Sequence, residues 1–361
     1  AGRLRWETGT IERMLKSFAA HNFRCFREFQ VTLGRRQLLM GVNGTGKSAF
    51  FEALGLMREL VVREERAEDV FQPEAFYRWK QNPQVSFELH FDLKGCEYVH
   101  KLTLRKDAGT VVVEQESLEG PGFDFRVHSG KATVTTAEGR RELSLDPKRA
   151  ALGGHAMMEA LPAVTRVASQ YNKILCLRIR PEAMSARIFS EELRPRADFG
   201  NFASWYLHIS RVEGGQVKQS LMQRLRAVLD GFQDLELRPV FRDEQRLIAV
   251  FRRNGGQTQE FQFDELSDGQ RVLIALYTFL QVGFGEESIV CLDEPENYLA
   301  LAEIQPWLLE SMDRTEEAGA QLIVASHHPE VLNQMAPDSA LIFYRDAHGE
   351  VRAKRFEHAD Y

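Results

Sequence analysis

The sequence predicts an α/β protein: a mixed, largely parallel central sheet assembled from both ends of the chain, with an antiparallel β lobe and a helical insertion between them. Three observations predict it. Short apolar runs alternate with helical patterns in the last third, as in a parallel sheet covered on both faces. A glycine-rich loop stands between a strand pattern and an amphipathic helix near the N-terminus. The middle of the chain carries alternating patterns broken by Gly, Asp and Lys turns, which read as antiparallel strands.

In chain order, the regular pattern starts at Met14. Leu15-Lys16-Ser17-Phe18, Asn22-Phe23-Arg24-Cys25-Phe26 and Phe29-Gln30-Val31-Thr32-Leu33 read as two or three strands, with a further one at Gln37-Leu38-Leu39-Met40. Phe50, Phe51, Leu54, Met57, Leu60 and Val61 recur at helical spacing and predict a helix from Lys47 to about Arg63. Val85 to Leu93, Tyr98 to Leu104 and Thr110 to Val113 read as antiparallel strands. Helices near Phe202 to Ser210 and Val217 to Leu229 follow, then strands near Leu235 to Phe241 and Arg246 to Phe251. The last third predicts a helix from about Gly269 to Gly283, a buried strand at Ser288 to Leu292 and a helix within Leu301 to Met312. Strands at Gln321 to Ala325, Ala340 to Tyr344 and Val351 to Arg355 complete it. The expected organisation is a split core of residues 14–63 with 258–361 and an insertion of 64–257, preceded at 1–13 by a leader or expression remnant.

Composition narrows the function classes. With 43% hydrophobic and 27% charged residues, the chain is neither disordered nor fibrous. A net charge of −6 excludes a basic nucleic-acid coat, so any DNA contact must come from a local patch or a partner. The most apolar stretch, Val272 to Phe284, is shorter than the roughly 20 residues of a membrane span, so no membrane is expected. Cys25, Cys96, Cys176 and Cys291 form no C-x-x-C pair and imply thiols in a reducing cytoplasm.

The strongest chemical signal is Gly41-Val42-Asn43-Gly44-Thr45-Gly46-Lys47-Ser48, a full match to G-x-x-x-x-G-K-[S/T]. Its glycines let backbone N–H groups converge on phosphate oxygens, and the following helix points its positive end at them. Lys47 is placed to neutralise the β- and γ-phosphates of ATP and Ser48 to ligate Mg²⁺. The second signal is the apolar run Ser288-Ile289-Val290-Cys291-Leu292 ending in Asp293-Glu294. Asp293 suits the Mg²⁺ shell, and Glu294 suits polarising an attacking water.

Two further pieces are Leu266-Ser267-Asp268-Gly269-Gln270, opening a helix before that strand, and Ser326-His327-His328-Pro329 after the next one. Here the chain resembles the ABC-type ATPases, whose signature usually reads L-S-G-G-Q and whose switch histidine follows the strand after the Asp-Glu pair. Asp268 departs from that pattern. The resemblance implies a homodimer in which ATP on the loop containing Asn43, Gly44, Thr45, Gly46, Lys47 and Ser48 of one copy is covered by Ser267, Gly269 and Gln270 of the other. It assigns a γ-phosphate contact to His327, with His328 as its neighbour, and makes Glu294 to Leu299 the loop crossing to the second copy. Gln72, Gln81 and Gln84 are candidates for the glutamine lid of this class.

The stretch between Lys47 and Ser267 is about twice that of transport ATPases and far too short for an SMC coiled coil. Asn22-Phe23-Arg24-Cys25-Phe26 looks like the N-F-[RK]-x-F opening of RecF, SMC and OLD-like heads, which places Arg24 beside the nucleotide; an ordinary edge strand is the alternative. His327-His328-Pro329-Glu330-Val331-Leu332 is similar to their T-H-S-P-x-V-L. OLD nucleases continue into a Toprim domain, whereas few residues follow here. The resemblance therefore implies an ATP-driven switch in DNA repair or anti-phage defence, acting with a separately encoded effector such as a nuclease. The alternative is an ATP-stabilised scaffold that sequesters a toxic partner with little DNA contact. Lys16, Arg24, Arg27, Arg35 and Arg36 offer either a DNA-facing patch or a solvated positive face.

Overall fold

A computed structural model of the chain describes residues 14–77, 83–107, 109–241, 244–252 and 255–356. The candidate Gln81 and the expected leader at 1–13 lie outside the described residues. Strands β1 (Leu15–Phe23), β2 (Phe26–Thr32) and β3 (Arg36–Met40) precede helices α1 (Lys47–Val62) and α2 (Ala67–Val70). An antiparallel run follows: β4 (Gln84–Leu93), β5 (Cys96–Asp107), β6 (Thr110–Gly120), β7 (Phe123–His128), β8 (Lys131–Thr136) and β9 (Gly139–Ser144). Helices α3 (His155–Ala160) and α4 (Pro162–Asn172) lead into β10 (Ile174–Leu177) and β11 (Arg187–Ile188). Next come α5 (Phe202–Val212), α6 (Gly214–Val228), β12 (Phe232–Phe241), β13 (Glu244–Arg252) and β14 (Thr258–Gln262). The chain ends with α7 (Asp268–Val282), β15 (Ile289–Asp293), α8 (Leu301–Glu317), β16 (Gln321–Ala325), α9 (Pro329–Ser339), β17 (Ala340–Arg345) and β18 (Val351–Arg355).

The strands form three sheets. The central one has the order β10-β15-β16-β3-β17-β18 and is parallel except for its last pair. A second, antiparallel sheet runs β2-β1-β4-β5-β6-β7-β8-β9, and a third joins β11 to β14 around β13. Side chains alternate across a strand, so each central strand feeds two cores. Ile289, Cys291, Ile323 and Ala325 face one core, shared with α1, α4 and the antiparallel lobe. Val290, Leu292, Leu322 and Val324 face the other, shared with α5 to α8. Burial on both faces is why these runs are wholly apolar rather than alternating.

The lobe and the central sheet are fastened by specific contacts. Gln321 of β16 is fully buried; its side-chain amide donates to the carbonyls of Leu15 (2.9 Å) and Gly34 (2.8 Å), and its oxygen accepts from Leu15 N (2.9 Å). Around it, Phe18 meets Phe50 edge-on at 5.0 Å, and Phe343 of β17 packs at 5.1 Å from Phe29.

Several elements differ from the pattern reading. The three N-terminal runs make two strands, the lower of the two expected numbers, with bounds that differ: β1 runs through to Phe23, and Arg24-Cys25 make the tight turn to β2, with Arg24 at φ 49°. Strands β7 to β9, helices α3, α4 and α9, and β10 carry signals too short or too polar to be read. The position of β10 bears on the expected organisation. Ile174–Leu177 lies within the stretch 64–257, yet it pairs in parallel with β15 and forms one edge of the central sheet. Conversely, β1 and β2 belong to the sheet of the antiparallel lobe.

Candidate functional site

The loop from Gly41 to Gly46 leaves the end of β3 and turns back into α1. Gly44 (φ 79°) and Gly46 (φ 97°) take left-handed backbone, which reverses the chain within a few residues. The Thr45 hydroxyl pins the loop by donating to Val42 O at 2.7 Å. Lys47 is buried and folds back to donate to Gly41 O at 2.5 Å. Burial lowers the pKa of its ammonium, opposed by the charges of Glu294 and Asp293. Among the described residues, the backbone amides of Gly44 to Ser48 find no protein acceptor. That row of open donors at the start of a sixteen-residue helix fits a chain of phosphates.

Opposite Lys47, β15 ends in Asp293. Ser48 stands beside its carboxylate on the same groove, and burial raises the Asp293 pKa against the lowering effects of Ser48, Arg178 and Lys47. A desolvated carboxylate beside a hydroxyl suits a small divalent cation. Glu294 follows in left-handed backbone (φ 51°), held by its own N–H donating to Ala325 O at 2.8 Å. Such a conformation costs a non-glycine residue about 1–3 kcal/mol, so the neighbouring strand sustains it. Asn297 Nδ2 donates to Glu294 Oε2 at 2.9 Å, and His327 Nε2 stands 4.0 Å from Glu294 Oε1. Behind them, buried Glu296 accepts from Ser326 Oγ at 2.5 Å, and Ser326 Oγ accepts from His328 N at 3.0 Å, fixing the turn that presents His327. Lys47, Ser48, Asp293, Glu294 and His327 thus converge.

Ser267, Gly269 and Gln270 stand elsewhere. Ser267 caps α7: its hydroxyl accepts from Gln270 N (3.3 Å), while Gln270 Oε1 accepts from Ser267 N (3.1 Å). A Cβ on Gly269 would meet Tyr298 O at 2.9 Å, so this helix start lies against the loop from Glu294 to Leu299. Asp268 pairs with Arg271, whose guanidinium also donates to Pro181 O at 2.6 Å. None of the three lines the groove of about 870 Å³ that opens between α1 and β10 beside Ser48 and Asp293.

Arg24 is held by Glu52 of α1 through Nε (3.0 Å) and Nη2 (2.5 Å). Its turn touches the loop, because a Cβ on Gly46 would lie 2.6 Å from Phe26 Cε1 and 3.0 Å from Cys25 Sγ. The other N-terminal cations are also paired: Lys16 with Asp92 and Glu97, Arg27 with Glu350, and Arg35 and Arg36 with Glu316. This is the solvated, balanced arrangement rather than a bare positive patch. Of the glutamine candidates, Gln84 donates to Glu114, Gln72 precedes a short 3₁₀ turn, and neither lines the groove.

Two residues escaped the sequence reading. Arg345, at the end of β17, donates to Gly44 O at 2.8 Å and so braces the loop. Arg178 follows β10, with Nη1 3.8 Å from Asp293 Oδ2. A signal for it existed: Ile174-Leu175-Cys176-Leu177 echoes Ile289-Val290-Cys291-Leu292, so the residue after the first run merited the same attention as Asp293.

Residues 165–333 match the family model described as "AAA domain, putative AbiEii toxin, Type IV TA system". No curated protein matches the chain. Among solved structures, an SMC head bound to the C-terminal winged-helix domain of ScpA aligns over 96% of this chain and 99% of its own, at 14% identity and a TM-score of 0.53. An Smc head with an extended coiled coil, bound to the C-terminal domain of ScpA from Pyrococcus furiosus, covers 96% and 97% at 12% identity and a TM-score of 0.50. At these identities the likeness is one of fold. Among the described residues, no helix is long and apolar enough to cross a membrane.

Proposed function

We propose that this chain, an ABC-type ATPase head of the SMC-like AAA group, binds and hydrolyses ATP and uses the nucleotide to switch between an open and a closed homodimer. The observation that carries this reading is the convergence of Ser48 and Asp293 with Glu294 and His327 at the mouth of the phosphate loop. Ser48 and Asp293 would hold Mg²⁺, which when bound offsets phosphate charge during hydrolysis. The open amides of the loop and Lys47 receive the phosphates. Glu294, kept in its left-handed turn and oriented by Asn297, accepts a proton from the attacking water, and His327 faces the same space.

The dimer reading is supported by what lies exposed beside the site. Val42 of the loop, Tyr298 and Leu301 are respectively 74%, 52% and 52% exposed, and Ser267 and Gly269 sit next to Tyr298. A second copy would cover these groups and bring its own Ser267 to the phosphates. The head then acts as a switch for a separately encoded effector in DNA repair or anti-phage defence, in the cytoplasm. The toxin–antitoxin wording of the matched family favours defence and also motivates a second reading, an ATP-stabilised scaffold holding a toxic partner inactive.

The test is turnover together with oligomeric state. Glu294→Gln should lose hydrolysis by about 100-fold or more and accumulate ATP-bound dimers in size-exclusion chromatography with light scattering. Lys47→Ala should bind no nucleotide. A Glu294→Gln protein that hydrolyses ATP like wild type removes Glu294 as the base. Co-purification of the Glu294→Gln chain with ATP separates the readings: DNA and a nuclease support the switch, and a toxin held without DNA supports the scaffold.

A further inference from the structure

The strands Ile174–Leu177 and Ile289–Asp293 lie side by side in register, with Ile174 beside Ile289 and Leu177 beside Leu292. The next residue of each therefore stands at the same level, Arg178 next to Asp293. Their closest approach, 3.8 Å between Nη1 and Oδ2, is too long for a hydrogen bond and short enough for an ion pair.

The backbone of Arg178 is fixed while its side chain is free to turn. Its N–H donates to Ala197 O at 2.7 Å, and the same strap continues with Arg180 N to Asp198 O at 3.1 Å. The side chain is 49% exposed against 7% for Asp293, and it borders the groove shared with Ser48. Of the other guanidinium groups of that groove, Arg58 and Arg63 pair with Glu59, Arg194 donates to Asn172 O and Arg196 pairs with Glu192, while Arg180 lines it farther from Asp293 along the chain.

The chemistry of the group decides what it can do there. A guanidinium has five donors, no acceptor and a permanent charge, so it cannot ligate a metal but matches a phosphate oxygen. One buried carboxylate cannot hold a divalent cation on one side and an arginine on the other without the two repelling. Binding of the cation therefore weakens the hold of Asp293 on Arg178, and the loosened guanidinium borders the groove shared with Ser48.

We propose that Arg178 is an exchangeable counter-charge: it neutralises Asp293 in the nucleotide-free chain and turns onto a terminal-phosphate oxygen once Asp293 is engaged by Mg²⁺. The proposal rests on the ATP-binding reading above and adds to it a residue that tells ATP from ADP.

The experiment is equilibrium binding by calorimetry, in a full-length Glu294→Gln background that prevents turnover. ATP and ADP are each titrated at several Mg²⁺ concentrations into the parent, Arg178→Ala and Arg178→Lys proteins. The parent should prefer ATP. Arg178→Ala should lose about tenfold or more of that preference, the scale of a charge-assisted phosphate contact, with ADP affinity changed less than about twofold. The Mg²⁺ midpoint for ADP binding should fall in Arg178→Ala, because the competing cation is gone. Arg178→Lys, which keeps the charge without the fork, should lie between. Matching thermal midpoints of the nucleotide-free proteins show that the variants fold. An unchanged ATP-to-ADP ratio in Arg178→Ala overturns the proposal, whatever the Mg²⁺ midpoint does. A parent that binds neither nucleotide overturns the ATP-binding reading itself, a result distinct from the first.

Discussion

Replacing Glu116 by alanine should destabilise the chain more than almost any other single change outside the phosphate loop. Glu116 of β6 is 2% exposed, and its carboxylate accepts from Ala151 N (2.5 Å), Leu152 N (3.0 Å) and His100 Nε2 (3.1 Å). The other His100 nitrogen lies 2.7 Å from the hydroxyl of fully buried Tyr171. Truncation orphans three buried donors at roughly 1–3 kcal/mol each, so a total of about 4 kcal/mol follows once part of that loss is relieved by local relaxation. At about 2.1 cal/mol/K per residue, the unfolding entropy of 361 residues is about 0.76 kcal/mol/K. A loss of about 4 kcal/mol then lowers Tm by about 5 °C if the chain unfolds as one unit. Differential scanning fluorimetry reads this directly, since Trp205 and Trp307 are buried. Glu116→Gln, which keeps one acceptor, should lose about half as much, and Tyr171→Phe about 1–2 kcal/mol. The double variant should fall short of the sum, because the groups share one network. A Glu116→Ala protein melting within about 1 °C of wild type would refute the reasoning, because the three donors would then have found other partners.

Gly46→Ala should abolish nucleotide binding and cost about 2–5 kcal/mol, combining left-handed strain with a clash against Phe26, which is fully buried and stacked on Phe29 at 4.2 Å. Gly44→Ala, with φ 79° but open space around the added Cβ, should cost only the strain, about 1–2 kcal/mol; equal melting losses in the two variants would contradict this. Asp293→Asn should raise the Tm of the nucleotide-free protein at pH 7 while removing Mg²⁺-dependent ATP binding. Burial raises the Asp293 pKa, so the folded state holds that proton to higher pH than the unfolded state. Stability is therefore fully present below the ordinary aspartate value and is lost as pH rises through the folded value. The melting gap between variant and wild type should close as pH falls through that window, and a variant less stable than wild type at pH 7 would contradict the assignment.

Much of the site was legible because phosphate chemistry needs particular residues at short spacing. The loop from Gly41 to Ser48 and the Asp293-Glu294 pair are contiguous motifs, and the buried strand before the carboxylate pair is an unmistakable apolar run. Arg178 was not legible in the same way. Its one local mark is the four-residue apolar run before it, and its meaning comes from a strand more than a hundred positions later. The same holds for Arg345, which braces Gly44 from the far end of the chain. The balanced state of Lys16, Arg24, Arg27, Arg35 and Arg36 also depended on partners such as Glu316 and Glu350 that sequence order keeps apart.

The sequence by itself determined an α/β chain with a phosphate-binding loop, because periodicity, glycine placement and motif spacing are local and survive without tertiary context. Only the tertiary structure decided that Ile174–Leu177 edges the central sheet, that β1 and β2 belong to the antiparallel lobe, and that Gln321 fastens the two by its single side chain. The physical reason is that sheet membership is settled by non-local pairing. Every strand offers the same backbone donors and acceptors, and packing of the two cores, not the strand's own residues, selects its neighbour.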